Sequence, residues 1–536
     1  MKKRIAGALL AIVSVCALMP GAGAYNAAVV DRPHVIAAGV DSTLVLGADG
    51  TVYGMGENYA LGINLMGRSS SPTPVAYDVK SVAGNYMGMA ILKNDNTLWD
   101  TAGTREFTYR DSDVAAMVST FEYATSVIKT DGTVKLNLTN GSYAVSDSFL
   151  TGAQVLSISS PASGAVLADG SLWTWGDNRY LCLGYETKNP LGNPPTKILD
   201  NVIDVEMGEE HSAAIQADGS LWTWGNGKQG QLFFEYPTHI NQATTENEYY
   251  DLPRKVADNV VDVSVGERHT AVLKSDGSLW MSGDNRYGQI GCGTTAISIY
   301  DEPFITEPVK VLDDVAAVTC GRYYTIAVKQ DGTVWAWGQN HYGQLGLGES
   351  GGNKYRGVES AKNNYQDVPK QIPGLIAMVP EQVELVIPAN TAYVSSSTIS
   401  VDGTQVEFQS YALRDANGYE TNYLKLRDVA QVLSGTGAQF EVGWDGAVTI
   451  TAGAAYTPDG TEMTTPFYGN RVYEDATADT LVNGTRVELE AILLKDDAGN
   501  GYTYYKLRDL GQALNFQVGW SAEQGIYIHS DQPYTE

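Results

Sequence analysis

Short runs that are apolar on both faces alternate with sharp Asp-Gly breaks through the first two thirds of the chain. Ser212–Ala217 is one such run, Asp218-Gly219 breaks it, and Ser220–Trp224 resumes the pattern. A further β-rich run lies upstream: Val202–Met207 here, and Val260–Val265 and Val315–Cys320 in later units. Runs apolar on both faces predict strands covered on both sides. An Asp-Gly pair between them predicts a two-residue type I′ hairpin, with positive φ at both central positions.

The unit recurs. Its anchors are Asp49, Asp95 (followed by Asn96 in place of Gly), Asp131, Asp169, Asp218, Asp276 and Asp331, spaced by 36 to 58 residues. The octapeptide Asp-Gly-Ser-Leu-Trp-Thr-Trp-Gly stands at both Asp169–Gly176 and Asp218–Gly225, and a close copy begins at Asp276. Repeats of this period predict stacked units, each a small antiparallel sheet unable to bury its own faces alone. A Pro-x-x-Val/Ile element precedes several units, at Pro72–Val75, Pro195–Ile198, Pro253–Val256 and Pro308–Val311. The first unit has none before Val35, and a spare copy at Pro369–Ile372 has no unit after it. This asymmetry predicts that the spare strand zips the last blade to the first, closing a seven-bladed disk with protected edges.

A second periodicity begins at Ser395, after a loose stretch at Ala377–Asn390 that reads as a linker. Val401-Asp402-Gly403-Thr404, Tyr423–Asp428 and Val442–Asp445 are matched by Val482-Asn483-Gly484-Thr485, Tyr504–Asp509 and Val518–Trp520, so the region holds two copies. Leu426, Val429 and Leu433 fall on one helical face, as do Leu507, Leu510 and Leu514. Each copy therefore reads as ββαββ.

Two family resemblances follow from these residues. Gly266-Glu267-Arg268-His269-Thr270, Asp276–Trp280 and Asn285–Gly291 resemble an RCC1-type repeat, as do Gly321, Asp331–Gly338 and Gly343–Gly346. The resemblance spans about residues 31–375 and implies a seven-bladed propeller; its motifs are specific in units four to seven and degenerate in units two and three. The Lys-Leu-Arg-Asp and Val-Gly-Trp segments resemble the stalk-type domain called copper amine oxidase N-terminal-like, found on exported bacterial proteins. Copper is not expected, because that region holds one histidine, His529, and no cysteine. The expected fold class is mainly β: a seven-bladed RCC1-type propeller at 25–375, a linker at 376–394, and an α+β stalk domain of two ββαββ repeats at 395–530.

Lys2, Lys3 and Arg4, an apolar run from Ile5 to Met19 and Ala22-Gly23-Ala24 read in the order of a secretory signal peptide, with Tyr25 beginning the mature chain. No later segment is apolar enough to span a bilayer, so a secreted or cell-surface location is expected. A net charge of −27 disfavours nucleic acid and anionic lipid surfaces as partners. Beyond the leader only Cys182, Cys292 and Cys320 remain, which is not a disulfide framework.

No catalytic constellation emerges. His211 and His269 occupy one repeat position, filled by Tyr324 in unit seven and Ser42 in unit one, which argues for a structural role and against a shared metal site. Cys320 aligns with Val265 and Met207 as a core residue, and Cys182 stands where Gln289 stands in unit six. No cofactor and no metal site are expected; Asp415–Gly418 and Asp496–Gly501 read as plain turns without the acids of a calcium loop. The informative feature is where the chain grows: Phe233–Asp251, Thr294–Glu307 and Glu349–Val368 are inserted at the same phase of the unit, hence on one face. Their aromatics, Phe233, Phe234, Tyr236, Tyr249, Tyr250 and Tyr355, are candidate binding residues, with packing of the loops themselves as the competing role. The expected function is an exported, non-enzymatic binding or adhesion protein. It would present this face to an extracellular or envelope protein or glycan, with the C-terminal domain as spacer or tether. Inhibition of an extracellular enzyme and hydrolysis of glycans are the alternatives.

Overall fold

A computed structural model of the protein describes residues 34–63, 67–84, 88–101, 104–118, 125–136, 150–158, 162–187, 189–234, 249–293, 304–348, 365–381, 385, 388–395, 397–415, 419–464, 470–496, 499–521 and 525–535. The fold is mainly β, with two helices among the described residues. From residue 36 to 376 it is a propeller-like array of small antiparallel sheets. The first sheet runs Ile36–Ala38, Ser42–Leu46, Thr51–Glu57 and Arg68–Tyr77; the last runs Val315–Cys320, Tyr324–Lys329, Thr333–Gln339 and Tyr365–Ile376. Between them lie five more. Among the described residues the third has three strands (Val114–Val118, Ser126–Lys129, Val134–Lys135), where the sequence motif is most worn. No helix in the described residues is long and apolar enough to cross a membrane.

The Asp-Gly turns differ from the expected hairpin. Only the second residue has positive φ, at 77° for Gly170, 80° for Gly219 and 80° for Gly277, and Asn96 holds 65° in the same place. Gly170 N donates to Leu167 O and Leu167 N to Ser171 O, so the Asp closes an ordinary turn and the Gly forms a bulge after it. The reason is the Asp side chain. Asp169 Oδ1 accepts from the backbone N–H of Ser171 at 3.0 Å and from its hydroxyl at 2.5 Å, while Trp173 Nε1 donates to that hydroxyl at 2.9 Å. Asp276–Ser278–Trp280 and Asp331–Thr333–Trp335 repeat the relay. The octapeptide recurs because Asp, Ser and the first Trp make one hydrogen-bonded corner.

The Pro-x-x-Val/Ile segments are also placed differently. Each is the fourth strand of its own sheet, paired back across the insertion to the Trp strand: Trp222 pairs with Lys255 and Trp280 with Lys310. The first sheet is complete without a borrowed strand, so no strand is shared between the first and last sheets. They meet face to face. Tyr324 OH donates to Ser42 O at 2.6 Å, the Thr43 hydroxyl lies 3.1 Å from the same phenol and donates to Gln344 O at 2.9 Å, and a single bridge joins Gly47 to Ala377.

This seam repeats elsewhere. Thr270 donates to Gln231 O and lies 2.7 Å from His211 Nε2; Thr325 donates to Gln289 O and lies 3.2 Å from His269 Nε2. One sheet earlier, Ser212 donates to Cys182 O. The hydroxyl gives its only proton to the carbonyl, so the imidazole Nε2 must be the donor to it and Nδ1 is bare. Cys182 can replace Gln because the seam uses its backbone carbonyl; buried Trp224 and Trp337 donate to the same carbonyls, Cys182 O and Gln289 O.

The C-terminal region holds one hairpin more per copy than ββαββ. Copy one has Ile399–Val401 with Thr404–Val406, Ser410–Arg414 with Glu420–Lys425, helix α1 (Leu426–Leu433), then Phe440–Trp444 with Val448–Ala452. Copy two repeats the plan around helix α2 (Leu507–Leu514). The copies interlock: Ile399–Val401 runs parallel to Gly525–His529, and Val448–Ala452 parallel to Thr480–Val482. Leu424 faces its own equivalent, Tyr505, at the centre of a shared seven-stranded sheet, so a pseudo-twofold passes between them. Leu426, Val429 and Leu433 are buried as the helical spacing predicted, as are Leu507 and Leu510, while Leu514 is half-buried.

Two outcomes test the seams. Tyr324→Phe removes one buried hydroxyl at the junction of first and last sheets and should cost about 1–2 kcal/mol, read as an earlier thermal midpoint with faster amide exchange at Thr43. Burial pushes His211 down to about 3, aided by neighbouring His269, and pushes His269 down to about 4. The unfolded chain therefore takes up protons below about pH 6.5 that the folded chain refuses, and stability present at neutral pH is lost as pH falls toward 4. Urea midpoints at pH 7 and pH 5 should separate more for the parent than for a His211→Gln/His269→Gln variant.

Candidate binding face

The turns that follow the first strand of each sheet and those that follow the Trp strand lie at the same end of the array, opposite the Asp-Gly turns. Two sets of side chains meet there. The Gly-Glu-x-His segment supplies Glu209 and Glu210, then Glu267 and Arg268, and in the last sheet Arg322 and Tyr323. The Asn-x-Tyr segment supplies Tyr180, Tyr287 and Tyr342. Each Asn of the latter is buried and folds its turn: Asn178, Asn285 and Asn340 accept from the backbone N–H of Leu183, Ile290 and Leu345 at 3.0, 3.0 and 3.1 Å. Gln289 and Gln344 tie the same turns through Tyr287 N and Tyr342 N.

The charges form a chain across sheets. Arg268 donates to Glu210 Oε1 at 3.2 and 3.0 Å and stands 4.0 Å from Glu267. Glu267 accepts from Arg322 and, at 2.8 Å, from the Tyr323 hydroxyl. Burial, then the Glu267 charge, pushes the Tyr323 phenol up to about 12. The Tyr323 ring lies 5.1 Å from Tyr287, which meets His341 edge-on at 6.5 Å. The Arg68 guanidinium covers Tyr342 at 4.5 Å and donates to His341 O at 2.8 Å. Arg286 grips the fully buried Asp284 with both arms of its fork. The arginines and tyrosines here are half-buried or exposed on anchors that are buried or, for Glu267, half-buried, so the surface is preorganised. Burial raises Asp41 to about 6 against the pull of Arg322, so the face changes charge near that pH.

The first strands also line a cavity of about 410 Å³, whose wall includes Glu209, Glu267 and Arg322 of this face and, elsewhere, Pro380 and Glu381. Asp204, Glu206 and Asp262 lie in its wall, and burial with the two neighbouring aspartates holds the Glu206 carboxyl well above the ordinary range. Among the described residues no group of His, Cys, Asp and Glu is placed to hold a metal ion. Cys320 is buried, its thiol pushed up to about 12 by burial, and Cys182 is raised likewise, so neither is a thiolate at neutral pH. All three described cysteines are free.

The insertion aromatics fare unevenly. Phe233 is a correction: it is 5% exposed, in a core cluster with Ile203, Ile215 and Val260, and packs inward rather than facing outward. Phe234 is half-buried, with Arg254 over its ring at 4.7 Å. Tyr249 and Tyr250 pair through their backbones with Asn226 and Gly225, their side chains falling outside the described residues. Tyr236 and Tyr355 lie outside them altogether. The Arg and Tyr positions that do form the face were hidden inside the repeat motif, where recurrence alone suggested a structural role. The available signal was that the variable letter in Gly-Glu-x-His and Asn-x-Tyr is so often Arg, Tyr or His.

The family model for the RCC1-like domain matches residues 138–436, which takes in the fourth to seventh sheets and their Trp and Gln motifs. The chain belongs to the RCC1-like domain family. Among curated relatives it is 31% identical over 203 residues to the ultraviolet-B receptor UVR8 of Arabidopsis thaliana, covering 35% of this chain and 41% of that protein. It is 30% identical over 201 residues to the human probable E3 ubiquitin-protein ligase HERC3, covering 35% and 17%. The RCC1-like chain thus spans less than half the length of these relatives. Yeast RCC1 (Prp20), solved bound to Kap60, is similar at a TM-score of 0.48 and 16% identity over 68% of this chain and 91% of that one.

Glu267 links both arginines, so Glu267→Ala should destabilise the RCC1-like array by only about 1 kcal/mol, the scale of a screened surface pair. It should also return the Tyr323 phenol toward 10, read by titrating a labelled Tyr323.

Proposed function

We propose that the RCC1-like region is a closed seven-bladed propeller and that the protein is an exported, non-enzymatic binding protein. In this reading residues 25–375 form the propeller, and 395–530 form a stalk-like spacer or tether resembling the copper amine oxidase N-terminal-like domain. The partner is an extracellular or cell-envelope protein or glycan. The observation that carries the reading is the face itself: tyrosines and arginines held on buried Asn, Gln and carboxylate anchors, the composition of interface anchors. The opposite end supports it. There Lys255 donates to Asn470 O, Asp258 accepts from Asn470 N at 2.5 Å, and Arg471 covers Trp222 at 5.6 Å, so these contacts of the C-terminal region lie away from the face. The relatives include a receptor and a probable ligase, so one fold carries unrelated activities and function lives in the site.

The test is co-sedimentation of the full chain with purified bacterial envelopes. The parent should pellet, and Arg322→Ala/Tyr323→Ala should release it by roughly tenfold or more, the effect of losing a central anchor. A parent that stays in the supernatant would sink the envelope-binding form of the reading. A paired variant that pellets as the parent does would sink the assignment of the face.

A further inference from the structure

The two C-terminal copies carry the same cluster, covered in one and open in the other. In copy one, residues 457–464 form a strap over the start of α1. Arg427 pairs with Asp459 at 2.7 Å and donates to the Tyr456 hydroxyl at 3.3 Å, and that hydroxyl donates to Glu462. Lys425 donates to Thr461 O and Thr464 O at 3.1 and 3.3 Å, and Asp428 accepts from Met463 N at 2.8 Å. Under the strap the Lys425 and Asp428 side chains are 6% and 1% exposed. Copy two places Lys506, Arg508 and Asp509 at the start of α2. Tyr534 follows Ile526, the cross-strand partner of Trp520, by the same eight residues that separate Tyr456 from Val448, the partner of Trp444. Its ring lies on α2, where a Cβ added at Gly511 would meet it at 3.4 Å. Among the described residues no strap covers this second cluster: Arg508 is exposed, neither it nor the Tyr534 hydroxyl makes a hydrogen bond or ion pair, and the Lys506 and Asp509 side chains are 29% and 27% exposed.

We propose that Lys506, Arg508, Asp509 and Tyr534 form a docking site for an acidic turn of another polypeptide, held as the strap is held on α1. The covered copy states the ligand's chemistry: two carboxylates three residues apart for the Arg and Tyr, backbone carbonyls for the ammonium, and a backbone N–H for the Asp. A peptide carries all three. Arg508 supplies the planar fork that matches a carboxylate. Lys506 gives one proton to Glu490 at 2.7 Å, but an ammonium has three. Asp509 accepts the Glu490 N–H on Oδ2, which leaves Oδ1 for a further donor. A second copy of this chain is not the donor, because its own strap is held against α1 by the bonds above. The site lies wholly on the C-terminal region and is separate from the propeller face.

The experiment passes the full chain over a sensor densely coated with the peptide of residues 457–464. The parent should be retained, and the same peptide with Asp459→Asn/Glu462→Gln should hold it about tenfold less tightly or worse, the scale of a hydrogen bond to a charged group. Arg508→Ala should cost as much and Arg508→Lys should recover part of it, both with the parent's thermal midpoint because Arg508 is exposed and unpaired. Retention should fall as salt rises toward about 1 M, where exposed charge contacts are screened. The face variant Arg322→Ala/Tyr323→Ala should bind the peptide as the parent does, so loss of the face and loss of this site are told apart. A parent that ignores the peptide would overturn the proposal. Arg508→Ala retained like the parent would overturn it too, and if Arg427→Ala then loses the peptide, exchange with the strap at α1 is the cause.

Discussion

The array hangs on one small contact: a Ser or Thr hydroxyl at the start of a second strand, donating to a backbone carbonyl of the preceding sheet. Ser212 to Cys182, Thr270 to Gln231, Thr325 to Gln289 and Thr43 to Gln344 are the same bond made at successive seams. All these hydroxyls are fully or almost fully buried, so an unmade bond would leave a donor and an acceptor without water. The consequence runs outward. The carbonyl must be presented by a tight turn, which an Asn clamps at Cys182, Gln289 and Gln344; before three of the hydroxyls, His211, His269 and Tyr324 make a second inter-sheet strut.

That dependency explains what the residues disclosed and what they concealed. The recurrence of Asp-Gly, Trp and Gly-Gln established small antiparallel sheets stacked in series, and those sheets are present. The turn type was not legible, because Asp-Gly serves two hairpin geometries and only the downstream Ser, through its bonds to Asp169 Oδ1, selects between them. The placing of the Pro strand was not legible either. A strand set off by a long insertion looks like the start of the next unit, and only the pairing of Trp222 with Lys255 assigns it backward.

The binding face was hidden for a related reason. Arg268, Arg322, Tyr287 and Tyr342 sit one letter from invariant-looking motif residues, so the repeat explained them away, whereas conspicuous aromatics in the insertions drew attention that Phe233 does not justify. Scaffold and surface are the same few residues here: the Asn that folds a turn also aims the Tyr two positions later. In the C-terminal region the duplication was legible, but the exchange of hairpins was not, since no local pattern distinguishes pairing within a copy from pairing between copies.

Every sheet of the array is built from one uninterrupted stretch of chain, including the first and the last. The first, fifth, sixth and seventh units each supply the hydroxyl of a seam contact, and the fourth to seventh each supply a carbonyl. A gene encoding such units can lengthen, shorten or exchange them by recombination at unit boundaries without orphaning a strand.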